Sequence, residues 1–399
     1  MRQGSMKVSI LLLCVFFCCA LNANATSFSV GSYGAKGDPS VDDTTAFVNT
    51  WKAACASSGD VELLIPQGTY FLGQVIFRGP CKFNTITVNL KGVLKASTDL
   101  SRFGKGDDWV EFSFFNGLTL TGGGTFDGQG RSSWSKNECP TKKNCKVLPT
   151  SVKFVSLTNA EVKGVNSKDP KFFHFGVLQC NNFKASNIYL KAPEDSPNTD
   201  GIHIERSKSV SITASTIGTG DDCISIGQGN SDVLISGIKC GPGHGISVGS
   251  LGRYPNEGNV QGLIVKDSII FGTTNGVRIK TWENSPSWSN VDNMTFQNIK
   301  MNNVYNPIII DQNYCPYYNC DRSAPSKVKL SNIFFKDITG SSKSQAAVTV
   351  KCSQAAPCQN VNLQNVNLQY TGGSNPTAVC SYANIAFSGT KVPAECTSA

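Results

Sequence analysis

Only three of the 399 residues are histidine, and no two cysteines have CxxC spacing, so the chain lacks the ligand pattern of a zinc site. Charge is scarce: 16% of residues are Asp, Glu, Lys or Arg, which argues against a disordered chain. Lys and Arg do not cluster beyond "TKKNCK" (141–146), leaving no basic patch for nucleic acid. Beyond the first 25 residues, no apolar run approaches the roughly 20 residues needed to span a bilayer. Glycine (38 residues) and proline (17) are instead plentiful, which points to an ordered, turn-rich chain with little helix.

The N-terminus carries the one strongly apolar run. Arg2 and Lys7 precede "VSILLLCVFFCCAL" (8–21), and Ala23-Asn24-Ala25 fits the small-x-small cleavage rule. Residues 1–25 therefore read as a secretory signal peptide, with a mature single domain over 26–399 that is secreted and not membrane-bound. Losing Arg2 and Lys7, and no acid, takes the net charge from +8 to +6, an excess that suits an acidic partner.

Cleavage also lowers the cysteine count from 16 to 13. In an oxidising compartment most should pair. Short loops suggest Cys139–Cys145, Cys315–Cys320 and Cys352–Cys358, with Cys223–Cys240, Cys380–Cys396 and Cys55–Cys81 following, although sequence alone does not fix connectivity. Cys180, in the apolar "FGVLQC" run, is left as a buried thiol.

Self-similarity dominates the centre of the chain. "DGIHIE" (200–205), "DCISIG" (222–227), "HGISVG" (244–249), "NGVRIK" (275–280) and "NPIIID" (306–311) share one pattern, and "AAVTVK" (346–351) is a fainter copy. Spacings are 22, 22, 31 and 31 residues, with second strand-like runs between them. A two- or three-strand unit of this size cannot bury its own apolar face, but a stack of them buries a continuous core. The expectation is an all-β, right-handed parallel β-helix. A β-sandwich fits less well, and a propeller would want more even blades. Period 2 sends Ile202/Ile204, Ile224/Ile226, Ile246/Val248, Val277/Ile279 and Ile308/Ile310 inward. It sends His203, Ser225, Ser247, Arg278, Glu205, Gly227, Gly249 and Lys280 outward. "DTTAFVNTWKAACASSG" (43–59) reads as a short amphipathic helix that caps the N-terminal end of the stack.

Equal phase in a solenoid means stacked position. Asp200, Asp222 and His244 each stand just before the shared motif and should form a column, with Asp221 beside it and the outward Arg278 and Lys280 one coil on. Taken singly, each is unremarkable: "GDD" (220–222) is a common turn, "RIK" (278–280) suits a solvated strand, and clustered Asp can bind calcium. Together they suit glycoside hydrolysis, in which one carboxyl donates a proton and another, ionised, acts as base or nucleophile. Repulsion within the Asp221–Asp222 pair would keep one of the two protonated. Arg and Lys can hold a carboxylated sugar, and the outward Tyr314 in "DQNYC" can stack on a sugar face.

These residues resemble a known family. "NTD" (198–200), "GDD" (220–222), "GHG" (243–245) and "RIK" (278–280), in this order, together with "DDTTAF" (42–47), are similar to the signature of the polygalacturonases, glycoside hydrolase family 28. The resemblance covers essentially the whole mature chain, and its wording is most similar to the plant pollen-type exopolygalacturonases. It implies the parallel β-helix, inverting cleavage of polygalacturonate, and no metal or other cofactor. It implies Asp221 as general acid, Asp200 and Asp222 as activators of water, and His244 as the tuner of Asp221. Arg278, Lys280 and Tyr314 would hold the galacturonate carboxylate.

A monomer is expected, acting outside the cell in the cell wall. Asn293-Met294-Thr295 is the sequon of the mature chain suited to a glycan. The rivals are an endo-acting relative, a calcium-dependent pectate lyase and a wall-binding β-helix without catalysis. The last should have lost one of Asp200, Asp221 or Asp222, and all three stand.

Overall fold

In a computed structural model of the chain, residues 25–396 are described, except 105–107, 140, 143 and 318. The signal peptide expected over residues 1–25 thus lies almost wholly outside the described residues. Among those residues, no helix is long and apolar enough to cross a membrane.

Among the described residues the strands form two all-parallel sheets, one of 11 strands and one of 20. In the 11-stranded sheet, spatial order follows chain order from Val75–Arg78 to Thr377–Ser381, each coil adding one strand to the last. The repeat expected from sequence is the register of this sheet: Ile202 pairs with Ile224, Ile224 with Ile246, Ile246 with Val277, Val277 with Ile308 and Ile308 with Val348. The sheet also extends four coils upstream, through Val75–Arg78, Asp108–Ser113, Thr150–Val155 and Phe175–Leu178. There, phenylalanine and valine replace the isoleucines; Phe77, Phe112 and Phe154 follow one another in register inside the core, and Phe175 meets Phe154 edge-on.

The second runs form the larger sheet. Val210, Val233, Leu263, Met294, Ile333 and Val361 occupy one buried row on successive coils. Within strands of the larger sheet, left-handed backbone at asparagines such as Asn182, Asn298, Asn332 and Asn365 bends the chain. Their short amides tolerate that conformation and can bond to the preceding coil: Asn182 donates to Asn159 at 2.7 Å, and Asn298 to Asp267 at 2.7 Å.

The helix forms over Thr44–Ala56. Asp42 accepts from the Thr44 N–H and hydroxyl at its start. Asp43, buried, accepts from the backbone N–H groups of Lys36 and Gly37. The "DDTTAF" stretch is thus a structural clamp. Phe47 and Trp51 pack on Tyr70, Phe77, Phe83 and Phe115, covering the apolar end of the first coils.

All six expected disulfides are present, and Cys180 is free and buried. Six bridges fit an oxidising, extracellular setting. Asn293 is exposed, on the larger sheet rather than on the sheet that bears the candidate site.

Candidate active site

Seven adjacent strands of the 11-stranded sheet, from Thr150–Val155 to Asn306–Tyr314, and the turns beside them line one groove of about 810 Å³. It gathers Asp200, Asp221, Asp222, His244, Arg278, Lys280 and Tyr314, all the residues expected from sequence to share a site.

Two loops set the acids. Thr199, fully buried, accepts from the Gly220 N–H at 3.1 Å and from the Thr219 hydroxyl at 2.8 Å, tying the "NTD" turn to the "GDD" turn one coil on. The next coil is tied back by the His244 N–H, which donates to the Asp221 carbonyl at 2.7 Å. Gly245 has φ +84°, and a Cβ there would lie 2.1 Å from the Asn275 carbonyl oxygen, so the coil can turn only with glycine. Gly218 and Gly220 act differently. They serve close approach instead: neither lies in the left-handed region, and a Cβ on Gly220 would sit 2.1 Å from the Ser196 carbonyl oxygen.

The three carboxylates have different surroundings. Asp222 is the most deeply set. Its Oδ1 accepts from Ser247 Oγ at 2.7 Å and Arg278 Nη2 at 2.9 Å, and its Oδ2 accepts from Lys280 Nζ at 2.9 Å. Burial opposes ionisation, but the Lys280 and Arg278 charges win and hold this carboxyl well below the usual carboxylate range. Asp200 has no cation at contact distance among the described residues and accepts from Ser225 Oγ at 2.7 Å. Burial first, and then the charges of Asp221 and Asp222, push its carboxyl well above the usual range. Asp221 is the most open of the three, with 18% of its side chain exposed. It meets His244 Nδ1 at 3.0 Å through Oδ1 and Asn198 Nδ2 at 3.2 Å through Oδ2. Burial works against charging His244, yet the Asp221 contact and the carboxylates around it raise its pKa above the ordinary histidine value.

This revises one expectation. The adjacent pair was expected to resolve its own repulsion by protonating one member. The structure neutralises Asp222 with two cations and shifts the upward pressure to Asp200, on the preceding coil. The two cations are also less available than a solvated strand face implies, because both are buried against Asp222. Tyr314 lies over them, its ring centroid 5.3 Å from Lys280 Nζ and 5.9 Å from the Arg278 guanidinium carbon.

Four contributors were not singled out from sequence: Asn198, Ser225, Ser247 and Trp282. Ser225 and Ser247 share the register row of Arg278, so phase was the signal available for them. Trp282 packs edge-on to Tyr314 at 5.7 Å at the far end of the groove, with no repeat to mark it.

One atom each from Asp221, Asp222 and His244 lie within 4.8 Å of one another. They do not make a calcium cage: one donor is a ring nitrogen, and Asp222 is already occupied by two cations and a hydroxyl, whereas Ca²⁺ takes six to eight oxygens.

Known proteins with similar sequence bear on this arrangement. Residues 55–394 match the family model described as glycosyl hydrolases family 28. The chain is 48% identical to an exopolygalacturonase of Platanus acerifolia over 94% of this chain and 98% of that one. It is 42% identical to a polygalacturonase of Gossypium hirsutum over 97% and 95%. Its fold is similar to that of an endo-xylogalacturonan hydrolase from Aspergillus tubingensis, with TM-score 0.78 at 22% identity over 94% and 99% of the two chains. The chain belongs to glycoside hydrolase family 28, the polygalacturonases.

Proposed function

We propose that the protein is a secreted exopolygalacturonase that removes galacturonate from a chain end of wall pectin, acting as a monomer by inverting hydrolysis. The observation that carries the reading is one groove holding three carboxylates in unequal environments beside a buried Arg–Lys pair. An inverting glycosidase needs one carboxyl that gives a proton and one that takes a proton from water on the opposite face of the sugar.

Asp221 is the donor to the glycosidic oxygen. It is the most open carboxyl, and His244 and Asn198 fix both of its oxygens. Asp200 is the stronger base of the remaining two, because a carboxyl with a raised pKa binds a proton better once ionised. Asp222 orients the water and fixes the cations. Each of Arg278 and Lys280 keeps N–H donors beyond those given to Asp222, and these can take the galacturonate carboxylate beneath the Tyr314 ring. The exo mode is favoured by the high identity to the Platanus exopolygalacturonase along nearly the full length.

The test is product analysis over time on polygalacturonic acid. Monomer alone from the first time point supports the exo reading, and a shrinking ladder of oligomers means endo action. Asp221→Asn should abolish hydrolysis while polygalacturonate still binds, and most activity surviving in that variant would reject the assignment. An unsaturated, ultraviolet-absorbing product lost with chelator would identify a lyase instead.

A further inference from the structure

His203 is a groove-lining histidine that the mechanism above leaves unused. It stands in the register row of Ser225 and Ser247, on the strand Ile202–Glu205. Its Nδ1 is 2.8 Å from Ser225 Oγ, and that same hydroxyl is 2.7 Å from Asp200 Oδ2. Its Nε2 is 3.6 Å from Glu205 Oε2. Glu205 is fixed in turn by Arg206 at 3.2 Å and Gln228 Nε2 at 3.0 Å. The line runs outward: Asp200 and Ser225 are buried, whereas the His203 side chain is 25% exposed in the groove.

Ser225 has a single O–H and can donate in one direction at a time. With Asp200 ionised, the hydroxyl donates to the carboxylate and accepts from the Nδ1–H of His203. With Asp200 protonated, both hydrogen bonds reverse and His203 Nδ1 accepts. The charged groups facing the ring are Glu205 and Arg206 of its own coil, Asp200 through Ser225, and Lys153, which holds the same register position two coils earlier across Gly176. Phe173 covers one face of the ring, with centroids 5.0 Å apart.

We propose that Asp200, Ser225 and His203 form a proton line that clears the base after each turnover, with His203 as a positioning residue whose Nε2 lies against Glu205. The inference rests on the reading of Asp200 as the base. As the water oxygen bonds to the anomeric carbon, its O–H breaks and the proton goes to Asp200. The glycosidic electron pair leaves with the oxygen that takes the Asp221 proton. Asp200 then passes its proton to Ser225 Oγ while the Ser225 proton moves to His203 Nδ1, and the Nε2 proton leaves to groove water. Hydrolysis consumes no proton overall, so the one released at His203 balances the one that Asp221 recovers from solvent.

The test compares wild type, His203→Gln, Ser225→Ala and the double variant on polygalacturonate across pH. Gln can still meet Ser225 but cannot carry the proton. Each single variant should lose about tenfold or more in kcat, with KM within about twofold and an unchanged melting temperature. Added imidazole should restore His203→Gln. The double variant should lose no more than either single one, because both cut the same line. Unchanged kcat, a loss confined to KM, multiplying losses or no rescue would each overturn the proposal. Failure of the wild type to hydrolyse polygalacturonate is a separate result, and it would reject the functional reading instead.

Discussion

Lys280→Met would separate the two duties of the buried cation cluster. The Lys280 side chain is 9% exposed and that of Asp222 2%, so the pair is largely screened from solvent. Removing one partner of a buried ion pair costs about 3–5 kcal/mol, because the other charge is left uncompensated. Asp222 would keep Arg278 at 2.9 Å and Ser247 at 2.7 Å, which puts Lys280→Met near the low end, about 3 kcal/mol. Asp222→Asn is harsher, since it leaves two buried cations facing a neutral amide, and about 4–5 kcal/mol is expected. The double variant leaves only Arg278 uncompensated. Its loss should fall short of the sum by about 2 kcal/mol or more, within the coupling seen between groups in one network.

Because a solenoid can open coil by coil, a global melting curve can hide this coupling. The assay is native-state hydrogen exchange read on peptides covering 222–226 and 275–282, at low salt and near pH 6. Single losses that add to within about 0.5 kcal/mol in the double variant would refute the shared interaction. The pH dependence supplies a second check. Asp222 has a depressed folded pKa, so its contribution is present above the unfolded carboxylate value, about 3.9, and is lost as pH falls below it. The gap between wild type and Lys280→Met should therefore be full at pH 6 and narrow below pH 4. Unchanged exchange in those peptides while KM rises would show Lys280 to be a substrate contact alone.

Gly220→Ala should lower kcat by about 100-fold or more, because the new Cβ meets backbone of Ser196 that cannot swing away, displacing Asp221 and Asp222 together; activity within twofold of wild type would contradict this close approach. His244 should titrate above the ordinary histidine value by NMR, and Asp221→Asn should bring it down. The corresponding stability is fully present below about pH 6.5 and is lost as pH rises through the folded pKa. A His244 titration that does not respond to Asp221→Asn would break the proposed pairing.

The sequence made the solenoid legible where isoleucine repeats in phase, from residue 200 to 311. It hid the four upstream coils, because phenylalanine mixed with valine fills the core there and no shared motif precedes them. The site was legible for the same reason as the repeat: residues in equal phase must stack, so Asp200, Asp222 and His244 could be aligned before any contact was known. The partnerships across coils were harder to read. That Lys280 and Arg278 turn towards Asp222, and that Ser225 bridges to Asp200, depends on side-chain reach between coils about 4.8 Å apart, which alternation does not encode.

That distinction changes the meaning of the paired acids. Asp221 and Asp222 are neighbours in the chain, and their repulsion would ordinarily be settled between them. The stack instead gives each a different partner on a later coil, His244 for one and the Arg278–Lys280 pair for the other. With Asp222 neutralised, the carboxyl left buried without a cation is Asp200, which faces both acids from the preceding coil. A base needs that condition: it must bind a proton from water strongly enough to help break the O–H bond, and then be relieved of it. The first half follows from burial and from the two neighbouring charges. The second requires an exit that a buried carboxyl does not have on its own, and the hydrogen bond that Asp200 accepts from Ser225 leads on to His203.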